Sequence, residues 1–257
     1  MATILIGDNM QRDQLVDSLN SLLESSQFQD YCPNGLQIEG TPKIERIVCG
    51  VSLSLELIDQ AILRKAQAII VHHGIFWHKS NYALTGNKYQ RVAKLIKNDI
   101  NLIAYHLPLD NHMQLGNNIQ LANLLEINPL GQTGYQNLLW YGELEQACSL
   151  EEFINKYQLK TAHTPIYFGN KQKRIKKIAW CTGGADSMFE EAINLGVDLF
   201  LTGEIKEPIM NLALESNVAF VAGGHYVTER YGIQALSDYL QQNLGLSAEF
   251  IELYNPI

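Results

Sequence analysis

The chain has 257 residues, 46% of them hydrophobic and 18% charged, with a formal net charge of −8. That length suits one large core or two modest ones, and the acidic balance argues against a general binder of the nucleic-acid backbone, which would be basic. No apolar run approaches the roughly 20 residues of a membrane span, and the start, MATILIGDNMQRDQLVD, lacks the basic and long apolar regions of a secretory signal.

In chain order, residues 11–25 place Leu15, Leu19, Leu22 and Leu23 on one helical face. YCPNGLQIEG follows as a turn cluster, because Pro33-Asn34-Gly35 breaks any helix. IERIVCGVSLS reads as a buried strand, SLELIDQAILRKA as a helix, and AIIVHHG as the next strand. NKYQRVAKLIKNDI is helical again, and NLIAYHLPLDNH is a strand running into a loop at Pro108. Residues 127–172 look polar and irregular, with turns at GQTGYQN and a short helix near 149–157. Alternating strands and helices predict an α/β fold with mostly parallel sheets. The four cysteines, Cys32, Cys49, Cys148 and Cys181, form no CxxC pair. Their scatter argues against a zinc ribbon or disulfide scaffold and fits a reducing, cytoplasmic setting.

The second half reads as a repeat of the first, with chance similarity at low identity as the alternative. An offset of 131 residues carries Ile47 onto Ile178, Ala61 onto Ala192, and His72-His73 onto Gly203-Glu204, without a gap. An offset of 119 carries His106 onto His225 and Asp110 onto Glu229. The expected architecture is therefore two duplicated three-layer α/β domains, a first half over residues 1–126 and a second over 127–257.

In each half, polar residues follow directly on apolar strands, where parallel α/β sheets bind ligands. His72, His73, His106, Asp110, His225 and Glu229 all stand there, and a mixture of imidazoles and carboxylates suits first-row divalent metals. His225 and Glu229 meet one ion if HYVTE opens a helix, since i and i+4 share a face. Side chains alternate along a strand. Adjacent His72 and His73 therefore serve a metal only if the strand has just ended or each holds a different ion; a helix-cap or core role is the alternative. His78, His112 and His163 read as surface, loop or structural residues.

At these residues the chain resembles a known family. HHGIFW, YHLPLDNHMQLGNN, WCTGGADSMFEEAINLGVDLFLTGE and GGHYVTERYG, together with YCPNGLQIEG, are similar to the NGG-interacting-factor-three-like proteins, known also as type 2 GTP cyclohydrolase I. The likeness covers nearly the whole chain and is to the short bacterial form. The resemblance implies two intertwined domains with a dinuclear metal site between them, in a toroidal homohexamer. It implies His72, His73, Asp110, His225 and Glu229 as ligands, Glu229 bridging, with His106 a ligand or an orienter of ligands. Two departures bear on substrate contacts: His-His-Gly replaces a common His-His-Pro, and Leu107 replaces a common Thr. The inserted domain of longer members is absent.

Two carboxylate-bridged ions activate water and polarise an imine-like carbon, the chemistry that opens a purine imidazole ring. The expected function is a dinuclear metal-dependent hydrolase acting on cyclic C–N bonds, GTP cyclohydrolase-like. It would use two divalent ions per subunit (Zn, Fe or Mn) on a small-molecule substrate such as a nucleotide. The alternative is a ring-shaped metal-binding scaffold or regulatory partner without turnover. Glu204, which the repeat places opposite His73, is the candidate catalytic acid/base, with a structural hydrogen-bonding role as the other reading. CTGGADS has no Walker pattern; it is either an anion seat at a helix N-terminus or a plain turn.

Overall fold

The computed structural model describes residues 10–257; residues 1–9 of the start read for a secretory signal lie outside the described residues. The described residues divide into two compact units, residues 10–109 with 232–254, and residues 110–231 with 255–257.

In the first unit the strands lie in the order Ser247–Phe250, Arg46–Ser52, Ala68–His73, Asn101–Ala104 and Gly35–Ile38. The first three neighbouring pairs are parallel and the last is antiparallel. Ile69 and Val71 join Val48 and Leu102 on one face. Leu57 and Ile58 of helix Leu55–Leu63 and Val92 and Leu95 of helix Gly86–Lys97 cover that face. The alternate residues Cys49, Ile70 and Ile103 are buried too, with Cys49 bonded to Ser237 of helix His225–Leu244. Burial on both faces is why the strand reads as a continuous apolar run rather than an alternating one. Helix Leu55–Leu63 starts where Ser54 Oγ accepts the N–H of Leu57 at 3.0 Å.

The second unit has a mixed sheet in the order Ile127–Thr133, Leu139–Ser149, Arg174–Trp180, Leu199–Thr202, Ala219–Ala222 and Ile166–Phe168. Its three central strands are parallel and its flanking pairs antiparallel. Alternation sorts its core into two layers. Ile178, Trp180, Leu199 and Leu201 pack with Leu121, Leu125, Phe153 and Tyr157 from helices Asn117–Leu125 and Leu150–Thr161. Ala179, Phe200 and Phe220 pack with Phe189, Ala192, Ile209 and Ala213 from helices Phe189–Asn194 and Ile209–Ser216. This is a three-layer α/β arrangement.

The repeat is visible in the register. Ile47 pairs with Ala68, Val48 with Ile69 and Cys49 with Ile70; Ile178 pairs with Leu199, Ala179 with Phe200 and Trp180 with Leu201, each 131 residues on. The next strand departs slightly. Ala68 faces Asn101 and Leu199 faces Ala219, an offset of 118, while the histidines that follow are 119 apart. Tyr105 alone separates the first strand from His106, whereas Gly223-Gly224 separates the second from His225.

Four expectations are corrected. The helix over 11–25 ends at Leu22, and a 3-10 turn occupies Ser25–Gln27 after Glu24 takes a positive φ of 49°. The YCPNGLQIEG cluster is only partly turn, since Gly35–Ile38 becomes an antiparallel edge strand on Asn101–Ala104. Pro108 begins no loop: it lies in the first turn of helix Leu107–Asn111, where its missing N–H costs nothing. The region 127–172 is largely regular, with two paired strands and a helix, Leu150–Thr161, longer than 149–157. HYVTE does open a helix, His225–Leu244. Among the described residues no helix is long and apolar enough to cross a membrane.

Candidate metal centre

The first unit gathers three histidines. His72 and His73 end the strand Ala68–His73, and His106 follows the neighbouring strand by two residues. The strand runs through both adjacent histidines rather than stopping before them, yet their ring centroids lie 4.5 Å apart. His106 stands 5.0 Å from His72 and 5.7 Å from His73. One ligand atom from each of the three lies within 4.8 Å of the others.

Each ring is held by its Nδ1. His72, fully buried, hydrogen-bonds the Tyr105 carbonyl at 3.0 Å. A carbonyl only accepts, so His72 carries its proton on Nδ1 and its lone pair on Nε2. His73 Nδ1 is 2.9 Å from Ser52 Oγ. His106 Nδ1 lies 2.7 Å from Asp30 Oδ1, and the Asp30 side chain is 3% exposed. Burial pushes the Asp30 carboxyl up, but the hydrogen bond from His106, with those from Asn34 and the Leu107 N–H, brings it down to about 2. Trp77 stands edge-on to His106 at 5.1 Å and Tyr31 at 6.3 Å.

The second unit holds the remaining three. Asp110 is buried, and its Oδ1 accepts from Asn117 Nδ2 at 2.9 Å and Thr182 Oγ1 at 3.2 Å. His225 and Glu229 occupy one face of the first turn of helix His225–Leu244, with Nε2 and Oε2 3.0 Å apart. Glu229 is 2% exposed. Glu204 binds the other side of His225, Oε1 to Nδ1 at 2.6 Å, and is itself half exposed. Burial lowers the His225 pKa, but Glu229 and Glu204 outweigh it and raise it to about 9. The imidazole lies between two carboxylates, which together favour positive charge at this point. Gly183, at φ +70°, gives Glu229 its room: a Cβ there would fall 2.0 Å from Oε1. CTGGADS is thus a turn shaped around a carboxylate, leading into the 3-10 turn Asp186–Met188.

Sequence reasoning found the histidines and carboxylates but missed Asp30, Asn34, Ser52, Asn117 and Thr182. Asn34 stands in the turn cluster YCPNGLQIEG, the one local signal among them; the others carried none. His112 is a loop residue, its Nδ1 accepting from the N–H groups of Gln114 and Leu115. His78 is exposed and His163 half-buried.

Residues 10–256 match the model of Duf34/NIF3 (NGG1p interacting factor 3). The chain belongs to this family. A protein of Yersinia pestis named GTP cyclohydrolase 1 type 2 homolog is 42% identical over 248 residues, which is 96% of this chain and 100% of that protein. One of the same name from Neisseria meningitidis serogroup B is 44% identical over 237 residues, 92% of this chain and 95% of its own. Among solved structures, protein ybgI, described as of unknown function, has a TM-score of 0.93 at 40% identity and covers 96% of this chain and 100% of its own. TTHA1606 from Thermus thermophilus has a TM-score of 0.86 at 28% identity, covering 96% of this chain and 100% of its own. The NIF3 fold accords with the α/β architecture described above.

Proposed function

We propose that this NIF3 member is a dinuclear metal-dependent hydrolase of cyclic C–N bonds, with GTP cyclohydrolase-like chemistry. Its ligands would be His72, His73 and His106 with Asp110, His225 and Glu229, the last as the bridge. The donor chemistry supports this. Three imidazoles are gathered in one unit, and a His–Glu pair on one helical face in the other. None of the six is a thiol, and thiols dominate closed structural zinc sites. The observation that carries the reading is the histidine cluster, because the carbonyl of Tyr105 and the carboxylate of Asp30 leave Nε2 of His72 and His106 as the donor atoms.

Bound there, two divalent ions (Zn, Fe or Mn) would act as Lewis acids and lower the pKa of water. The chain's own residues would do the rest. Glu229 would supply negative charge to the bound cations, and Asp110, held by Asn117 and Thr182, presents its carboxylate in fixed orientation. Glu204 sets the ring of His225. In the proposed reaction it also takes a proton from the attacking water and returns it to the ring nitrogen as the C–N bond breaks. The names of the relatives support a nucleotide-like substrate. The assembly proposed with it is a cytoplasmic homohexameric ring, which sedimentation measures directly.

The test is elemental analysis of protein reconstituted with Zn, Mn and Fe, followed by an assay against nucleotides and small cyclic amides. About two equivalents of metal per chain and metal-dependent ring opening are expected. No bound metal, or full metal without turnover on any such ring, overturns the hydrolase.

A further inference from the structure

Asp30 stands just before the turn cluster YCPNGLQIEG and Asn34 within it, and both reach His106. We propose that Asp30 and Asn34 form a clamp that positions His106, fixing its proton on Nδ1 and presenting Nε2 as a metal donor. This rests on the metal-centre reading above.

The two partners hold different parts of one residue. Asp30 Oδ1 accepts from the His106 ring at 2.7 Å, while Asn34 Oδ1 accepts from the His106 backbone N–H at 2.8 Å. The clamp is itself braced. Asn34 Nδ2 donates to Asp30 Oδ2 at 2.9 Å, and the Leu107 N–H donates to the same oxygen at 3.0 Å. Oδ1 also accepts from the Tyr31 N–H at 2.6 Å and lies 3.8 Å from Cys32 Sγ. On the ring's other contacts, Trp77 packs edge-on at 5.1 Å. Backbone and ring are therefore both fixed.

Asp30, Cys32 and His106 also offer ligand atoms within 4.8 Å of one another. They are not read as a metal site of their own, because both Asp30 oxygens already accept hydrogen bonds. A carboxylate so engaged is suited to orienting an imidazole. A carboxylate on the far nitrogen fixes the tautomer and raises the basicity of the near one, and loss of such a partner typically weakens metal binding about 10–100-fold. Asp30 is 76 residues from His106 in sequence, so the contact is a tertiary one.

The experiment uses the full chain, stripped of metal with chelator. Two-bond 1H–15N correlation on histidine-labelled protein reads each tautomer without metal, and zinc affinity is read by competition with a chromophoric chelator. In the unsubstituted protein His106 is expected as the Nδ1–H tautomer. Asp30→Ala should redistribute that proton and weaken zinc binding about 10–100-fold, while His72, held by the Tyr105 carbonyl, keeps its tautomer. Asp30→Asn retains an acceptor but not the charge. It should keep the tautomer with a smaller loss of affinity, and it carries the test if the alanine variant does not fold. An Nε2–H His106 in the unsubstituted protein overturns the clamp, as does unchanged zinc affinity in either variant. If the unsubstituted protein binds no zinc, the metal-centre reading fails, and the tautomer measurements alone decide whether Asp30 sets the ring.

Discussion

At the scale of single residues, Glu229 and Gly183 make the sharpest pair. In the proposed metal centre Glu229 would touch both ions, so Glu229→Gln should lose metal at both positions while His72→Ala mainly harms one. Cation repulsion is poorly screened in a buried site, and Glu229 is buried. The fold should survive the change, and metal titration with circular dichroism on the same sample checks both halves of the expectation; two intact sites of unchanged affinity would rule out the bridge. Gly183→Ala reaches the same carboxylate from behind. A left-handed φ of +70° costs a non-glycine residue about 1–2 kcal/mol, and the new methyl would fall on Glu229 Oε1. A lower thermal midpoint together with weakened metal binding is expected. A midpoint shift without any change in metal affinity would show that Glu229 can move aside at no functional cost.

Among the elements, helix Leu150–Thr161 carries a complete capping box. Ser149 Oγ accepts the Glu152 N–H at 3.2 Å, and Glu152 Oε2 accepts the Ser149 N–H at 2.7 Å. Ser149→Ala should cost about 1 kcal/mol, read as a lower denaturation midpoint. The backbone and hydroxyl of Ser149 hold the Glu152 carboxyl below its ordinary value. A lowered folded-state pKa means that its contribution to stability is present above the unfolded-state value and disappears as pH falls through the folded-state one. The midpoint difference between the unsubstituted protein and Glu152→Gln should therefore shrink on acidification below the usual glutamate range; a difference that stays constant into acid refutes the assignment. The elements also show what could be read in advance. Buried strands such as Ala68–His73 and amphipathic helices such as Gly86–Lys97 announce themselves through local periodicity. The ribbon Ile127–Thr133 with Leu139–Ser149 does not, because its first strand is half-exposed, contains Pro129 and is interrupted by a bulge. Gly35–Ile38 was obscured because its pairing partner, Asn101–Ala104, is distant in sequence and the adjacent Pro-Asn-Gly dominated the reading. The histidines and acids of the site stood out because polar residues at the ends of apolar runs are conspicuous. Their holders, Asp30 and Thr182, were hidden because nothing local marks a partner 76 or 72 residues away.

For the whole molecule, the cores described above are apolar on every layer, so chelation should leave secondary structure in place. Metal that binds only the folded chain adds RT ln(1 + [L]/Kd), about 2.7 kcal/mol at a hundredfold excess over Kd. Titrating zinc or manganese into stripped protein should accordingly raise the thermal midpoint, with little change in the far-ultraviolet spectrum. Collapse of that spectrum on chelation would instead favour a structural role for the ions. The chain order of the first sheet has a consequence for synthesis. Strand Ser247–Phe250 pairs in parallel with Arg46–Ser52, although nearly two hundred residues separate them. Every strand of the second unit lies between residues 127 and 222. A ribosome therefore releases all of the second sheet while the first still presents Arg46–Ser52 as an open edge, ready to recruit a strand from another nascent chain. The sheet begun first would be the last completed, and truncation before residue 247 would make aggregation, rather than loss of a dispensable tail, its characteristic failure.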